Sequence, residues 1–426
     1  MEYQEFIDLI YARYSGNVKL GLERMQGLLE DLGNPQDRLR GFHVAGTNGK
    51  GSVCATLEAL CLAHGFRTGL NTSPHLVNYN ERIRIMGQEL PIDEIIATFT
   101  EHSNLFDKWD ASFFEITTAI AFILFARREI DVAVIEVGLG GRLDATNPFK
   151  PDVSLITTIA LDHIKTLGGD IKVIAGEKAG IIKKGIPLIL GEIEPEPRAV
   201  IEAKAITLKS PTFIHGEDWK VSFEKSSAPN ASFDYKYKDV CYKGLRSNLI
   251  GDHQVTNVGQ ALTAFIIFCQ NNKLKYSEDK IRQALMNINW KGRIQLLEEN
   301  PTVIIDGAHN VHGLKALMKT LDRVYPERKL IFVISILADK NYPEMLRMIC
   351  QKAEKVFVAQ NTSQRAATVK EQIVEVRKNN VEAIACDSVA DALRFAKEAA
   401  GKDGVIVAGG SLFTVGELIS ASQNNA

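Results

Sequence analysis

What this chain of 426 residues lacks narrows its class before any motif is read. No apolar run reaches the ~18 residues that a membrane-spanning helix requires. The opening Met1-Glu2-Tyr3-Gln4-Glu5 carries acids where a secretory signal would begin with bases. Neither charge is in excess: 50 Lys and Arg against 52 Asp and Glu leave a formal charge of −2. That balance provides no electrostatic footprint for nucleic acid or an anionic membrane, and neither is expected as a partner. Cysteine is scarce. Cys54, Cys61, Cys241, Cys269, Cys350 and Cys386 form no Cys-x-x-Cys pair, which argues against a zinc site and for free, mostly buried thiols in a reducing compartment. Internal repeats, low-complexity tracts and heptad runs are absent as well. The expectation is a cytoplasmic protein, monomeric, that handles small molecules.

The length exceeds what one hydrophobic core comfortably serves, so two domains are expected. The chain is organised around Val44-Ala45-Gly46-Thr47-Asn48-Gly49-Lys50-Gly51-Ser52. The run before it, Gly41-Phe42-His43-Val44-Ala45, reads as a buried parallel strand. The run after it, from Ser52 to Leu60, has helical spacing, with Ser52 as its cap. Glycines on a strand-to-helix turn let several N–H groups point into one concavity. The helix N-terminus adds partial positive charge and Lys50 a full one, which makes a cradle for phosphate. The spacing departs from Gly-x4-Gly-Lys-Ser/Thr: the residue after Lys50 is Gly51, and the hydroxyl is delayed to Ser52. A nucleoside triphosphate is the favoured ligand.

Further chemistry falls at the ends of other expected strands. Asp131-Val132-Ala133-Val134-Ile135-Glu136 reads as a buried strand ending in an acid, as in a Walker B element whose carboxylate serves Mg²⁺. The alternative is a strand-end salt bridge; an acid in so apolar a run is expensive without a partner. A second glycine-rich loop, Gly138-Leu139-Gly140-Gly141-Arg142-Leu143-Asp144-Ala145-Thr146-Asn147, is unlike a dinucleotide loop. The strand at 153–159 leads to Leu161-Asp162-His163, which would place His163 on the same edge as the phosphate loop; the plainer reading is a hydrogen-bonded loop histidine. Ser73-Pro74 predicts an extended turn, with a polar loop running on to Glu81-Arg82. Taken alone, Lys178 is a solvated helix lysine. Residues 191–250 read as an antiparallel β excursion. From 292–300 onward a regular strand-helix alternation begins, with strands at 302–305, 330–336, 356–359, 382–385 and 405–408. The expected fold is therefore α/β: an N-terminal P-loop ATPase domain with a parallel-sheet core, residues 1–294, and a smaller C-terminal Rossmann-like α/β domain, residues 295–426.

The order of these motifs resembles the folylpolyglutamate synthase / dihydrofolate synthase family, relatives of the Mur ligases. The likeness rests on Gly46 to Ser52, Ser73-Pro74-His75-Leu76 with Glu81-Arg82, Glu136 to Asn147, Leu161-Asp162-His163 and Glu177-Lys178-Ala179-Gly180. His253-Gln254 with Asn257, Gly292-Arg293, and Asp306-Gly307-Ala308-His309-Asn310 complete it. The family often has Pro-Gly-Arg where this chain has Lys291-Gly292-Arg293. The resemblance implies an ATP-dependent ligase that phosphorylates a folate carboxylate and joins the acyl phosphate to glutamate, and it extends to members that accept dihydropteroate. A Mur-type amino-acid ligase and a nucleotide-binding module without turnover are the alternatives. On the family pattern ATP would be held by Thr47, Asn48, Gly49, Lys50, Gly51, Ser52, Asn257, Arg293 and Asp306, in a cleft between the domains. Two Mg²⁺ ions would be served by Ser73, Glu136, His163 and Lys178, the last as a lysine carbamate. Phe114, Glu115, Leu143, Asp144, Ala145 and Ser411 would face the substrate, and Lys50, Lys178 and His309 would act in catalysis.

Overall fold

The computed structural model describes residues 1–13, 21–162, 164–227 and 230–423. The chain divides into two compact units, one of residues 1–224, 232–248 and 254–289, the other of 225–231, 249–253 and 290–426.

The first unit is built on strands β1 (Gly41–Ala45), β2 (Thr68–Asn71), β3 (Ile83–Ile85), β4 (Gln88–Glu89), β5 (Val132–Glu136), β6 (Val153–Ile156), β7 (Leu188–Leu190) and β8 (Thr212–Ile214). They form one sheet in the order β4-β3-β2-β5-β1-β6-β7-β8. From β2 to β8 across that order every pairing is parallel; β3 and β4 pair antiparallel at one edge. β1 lies between two parallel neighbours, so all five of its residues are buried, which is why it reads as a continuous apolar run. After β1 the chain crosses towards β2, whereas after β6 it continues towards β7. The order reverses there, and ligands of open parallel sheets bind at such a reversal, beyond the carboxyl ends of the strands. Gly46 and Thr157 occupy those ends.

The helix Lys50–Ala63 is buried on almost every face from Gly51 to Cys61. Its third turn carries Glu58, 3 % exposed, ion-paired with Arg84 of β3, 6 % exposed. Arg84 also donates from Nη1 to the Asn289 carbonyl at 3.0 Å. The helix Phe113–Arg127 starts at a capping box made by Ser112 and Glu115.

Two features differ from the sequence reading. The helix after the phosphate loop begins at Lys50 with Gly49 as its N-cap at φ +87°, so Ser52 lies in the first turn and is not the cap. A left-handed cap is open to glycine and costly for a residue with a Cβ, and this moves the start two residues earlier. Residues 191–250 hold a helix, Pro195–Thr207, and β8 before a separate sheet of β9 (Trp219–Ser227), β10 (Asn230–Tyr237) and β11 (Val240–Ser247). Pro195 stands in the first turn of that helix, where a missing N–H costs nothing. The Ser73–Pro74 peptide is cis.

The second unit has six strands: β12 (Gln295–Glu299), β13 (Thr302–Asp306), β14 (Leu330–Ile334), β15 (Ala353–Val358), β16 (Glu382–Ala385) and β17 (Val405–Gly409). Their order is β12-β13-β17-β14-β15-β16, parallel apart from β12. Each of β13 to β17 is followed by a helix with one apolar face, the alternation expected from the sequence.

The Glu58–Arg84 pair predicts a sharp asymmetry. Arg84→Met strands a buried carboxylate and should lower stability by about 3–5 kcal/mol, whereas Glu58→Leu with Arg84→Met should recover most of that loss. Denaturant unfolding of both variants checks it.

Candidate active site

The phosphate loop is held by the strand end beside it. Thr47 donates from its main-chain N to the Thr158 carbonyl at 2.7 Å, and its hydroxyl oxygen accepts from Ala160 N at 3.0 Å. Asn48 N donates to the Thr158 hydroxyl at 3.1 Å, and the Thr157 hydroxyl donates to the Asn48 carbonyl at 2.6 Å. Gly46, at φ +150°, comes so close to this strand end that a Cβ would lie 1.8 Å from Thr157 Oγ1. Asn257 sits on the other side: a Cβ on Gly49 would lie 2.5 Å from its Oδ1, and its amide donates to Gln254 Oε1 at 3.1 Å. The Thr157-Thr158 pair was missed by sequence reasoning. Its only signal was two adjacent hydroxyls at the end of an apolar strand.

Lys50 opens the helix, with Nζ 3.4 Å from the Thr47 carbonyl and 3.9 Å from Glu136 Oε1. Glu136 ends β5, is 3 % exposed, and accepts from Ser73 N on Oε2 at 3.0 Å. Lys50, Ser73 and Glu136 are thus brought together. Ser52 is buried in the first turn, and its hydroxyl oxygen makes no hydrogen bond. His163 lies outside the described residues. Among the described residues no three His, Cys, Asp or Glu side chains form a metal cage.

Lys178 is not the solvated lysine that its helix suggested. It closes the helix Ile171–Lys178, is 5 % exposed, and donates from Nζ to the Gly46 carbonyl at 2.9 Å. Burial, reinforced by the Lys50 charge and opposed by Asp162 and Asp144, pushes its pKa down to about 7. The glycines of the second loop allow this packing: a Cβ on Gly141 would lie 2.8 Å from the Glu177 carbonyl, and Arg142 N donates to that carbonyl at 2.8 Å.

The expected substrate residues fall into two groups. Phe114 lies against Gly138, where a Cβ would come within 2.4 Å of its ring, and Asp144 accepts from Leu139 N at 2.8 Å, so Phe114 and Asp144 share one stretch of backbone. Leu143 and Ala145 flank that carboxylate. Burial raises the Asp144 pKa above its usual range. Glu115 is engaged elsewhere: its Oε2 accepts from Ser112 N and Oγ at 2.8 and 2.7 Å, and Arg24 lies 3.2 Å from Oε1.

In the second unit, Asp306 ends β13 and joins two segments, accepting from Ile294 N on Oδ2 at 2.9 Å and from Ala308 N on Oδ1 at 2.8 Å. Arg293 stacks over the same turn, with Nη1 2.3 Å from where a Gly307 Cβ would be. His309 shares the turn, with Nδ1 3.0 Å from the Gly307 carbonyl. Gly292 takes φ +71° despite the lysine before it. Ser411 follows β17, fully buried, its hydroxyl bonded to Thr414 Oγ1 at 2.7 Å and to the Asn361 amide at 3.1 Å.

Two family models match the chain: the Mur ligase middle domain over residues 44–265 and the Mur ligase glutamate ligase domain over residues 292–412. The dihydrofolate synthase/folylpolyglutamate synthase of Bacillus subtilis is 34% identical over 424 residues, covering 98% of each chain. The chain belongs to the folylpolyglutamate synthase / dihydrofolate synthase family of Mur ligases. It is an ATP-dependent ligase. Among solved members of the family, Mycobacterium tuberculosis folylpolyglutamate synthase complexed with ADP superposes with a TM-score of 0.93 at 30% identity, covering 98% of both chains. Escherichia coli FolC in complex with DHPP and ADP gives 0.88 at 31% identity, covering 99% of this chain and 98% of that one. The fold expected from the sequence is the fold of this family.

A ligase of this family needs its phosphate loop in one conformation. Gly46→Ala would force Thr157 aside and break its bond to Asn48. Turnover should fall on the order of a hundredfold, measured as ADP release at saturating ATP.

Proposed function

We propose that this ligase adds L-glutamate to a carboxylate of a folate, and that it also joins glutamate to dihydropteroate. The observation that carries the reading is the clamped loop with Lys50, Glu136 and Lys178 around it, in a chain whose full-length relatives bear both activities in their names. ATP would transfer its γ-phosphoryl to the acceptor carboxylate, releasing ADP and leaving an acyl phosphate. The glutamate amine would then attack the carbonyl carbon, the C–O bond to phosphate would break, and the amide would form. Such chemistry asks mainly for positioning and charge neutralisation. Thr47 to Ser52 and Lys50 are assigned to the phosphates, and Asn257, Arg293 and Asp306 to the nucleotide. Phe114, Leu143, Asp144 and Ala145 are assigned to the acceptor, together with Glu115 and Ser411, whose internal hydrogen bonds limit them to shaping the site. His309 is assigned a catalytic part.

The donor set fits Mg²⁺. Ser73, Glu136 and the unpaired Ser52 hydroxyl are hard oxygen donors, and Mg²⁺ is commonly held by one or two carboxylates with water and phosphate and not by an all-protein cage. When bound, it would neutralise phosphate charge; His163 is proposed for a second ion. The working protein is proposed to be a monomer of two domains, residues 1–294 and 295–426. The six free cysteines are in keeping with the cytoplasm, and no helix among the described residues is long and apolar enough to cross a membrane.

Glutamate-dependent ADP release is the test, with dihydropteroate, tetrahydrofolate and methylene-tetrahydrofolate as acceptors. Release is expected with a folate and with dihydropteroate; none with any acceptor would leave a binding module, and none with dihydropteroate alone would remove the second activity. Lys50→Ala should reduce release by roughly a hundred- to a thousandfold while folding normally, and Glu136→Gln should raise the Mg²⁺ concentration needed.

Lys178 is proposed to work as a carbamate. Burial and the Lys50 charge lower its pKa without any metal nearby. Above pH of about 7 the neutral amine predominates, and it can attack carbon dioxide, losing a proton to give an anion that suits Mg²⁺. Carbon-13 NMR in labelled bicarbonate should show a carbamate signal that grows as pH rises through 7 and is absent in Lys178→Ala. That variant should be nearly inactive and partly restored by short carboxylates.

A further inference from the structure

Beneath the second glycine-rich loop runs a buried hydrogen-bond chain that the proposed reaction does not use. His43, on β1, is fully buried, and its Nε2 lies 2.8 Å from the equally buried Thr146 Oγ1. Thr146 Oγ1 is 2.5 Å from Asp144 Oδ1, which also accepts from Thr146 N at 3.0 Å, while Oδ2 accepts from Leu139 N at 2.8 Å. Its partners Thr146 N and Leu139 N are N–H donors, which suits a carboxylate. Thr146 therefore gives its proton to Asp144, and its oxygen must accept from His43. The imidazole then carries its proton on Nε2, and its buried Nδ1 has no partner. The Phe149 ring meets His43 edge-on at 5.9 Å and fixes the ring plane. Burial pushes the His43 pKa down to about 3, so the ring remains a neutral, single donor.

The carboxylate at the end of this chain has an aromatic neighbour. Phe114 lies against Gly138, beside the Leu139 that holds Oδ2. An aromatic ring and a carboxylate held to the same two residues of backbone, Gly138 and Leu139, are the pair of groups that a flat heteroaromatic with an N–H edge requires. We infer that His43 is a positioning residue for the head of the acceptor: by directing the Thr146 hydroxyl onto Oδ1, it leaves Oδ2 as the oxygen offered to the ring's N–H groups. The inference rests on the proposed assignment of Asp144 to the acceptor. His43 would then set the affinity for the pterin-like head and leave phosphoryl transfer alone, although it stands on the strand that feeds the phosphate loop.

That position makes the alternative testable, because a residue that merely supports β1 would disturb ATP. In full-length enzyme, His43→Leu removes the donor without burying an unpaired polar group, and Thr146→Val removes the relay with the same shape. Each should raise KM for dihydropteroate or tetrahydrofolate about three- to tenfold, with kcat and KM for ATP held. The double variant should be no worse than either single one, and His43→Gln, which keeps an N–H, should recover much of the loss. A p-aminobenzoate-type acceptor lacking the pterin should show no change in KM in these variants. A rise in KM for ATP, or an equal rise with the headless acceptor, would overturn the inference, and Thr146→Val carries the test should His43→Leu fail to fold. If wild-type enzyme binds headless and complete acceptors equally well, the assignment of Asp144 is what fails.

Discussion

The site depends on two adjacent parallel strands approaching too closely for any side chain to stand between their ends. Gly46, leaving β1, lies against Thr157, leaving β6, and only hydrogen fits there. This contact places Thr47 and Asn48 within reach of main-chain and hydroxyl groups at 157–160, so the loop is fixed by at least four hydrogen bonds before any ligand arrives. A loop fixed in advance need not reorganise as charge shifts between phosphates, which is where electrostatic catalysis gains most. The same glycine presents its carbonyl to Lys178, so one residue ties the cradle to its sheet and to the lysine helix.

Around this anchor the protein buries charge at several points. Glu136 is held by Ser73 N with Lys50 nearby, Glu58 is paired with Arg84, and Asp144 is satisfied by main chain and hydroxyl. Each such group is costly to desolvate unless its hydrogen bonds are made. Lys178 is the exception in kind: a cation held in place by a single carbonyl, with a second cation raising its cost. A low pKa there is a property of the fold, and it makes the amine chemically available near neutral pH.

Much of this was legible in the sequence. The strand, loop and helix around Lys50 follow from an apolar run, clustered glycines and helical spacing, and the alternation after residue 300 gives the second α/β unit. The start of the phosphate-loop helix was not legible, because a left-handed Gly49 serves as a cap by conformation alone while Ser52 carries the side chain that usually signals one. Lys178 looked solvated because its helix has neighbours of mixed polarity; its burial comes from a loop that arrives more than thirty residues earlier in the chain, through Gly141 and Arg142. Of residues 191–250, read as one β excursion, β9 to β11 do form a separate sheet; the part not legible is the helix Pro195–Thr207, because its Pro195 stands in the first turn, where proline is welcome.

The account stands on transfer of phosphate to the acceptor carboxylate before the amide bond is made. Oxygen-18 in both positions of that carboxylate tests it most directly. If the acyl phosphate forms, one labelled oxygen leaves in the inorganic phosphate and the other remains in the amide carbonyl. Unlabelled phosphate released in step with labelled amide product would contradict the account.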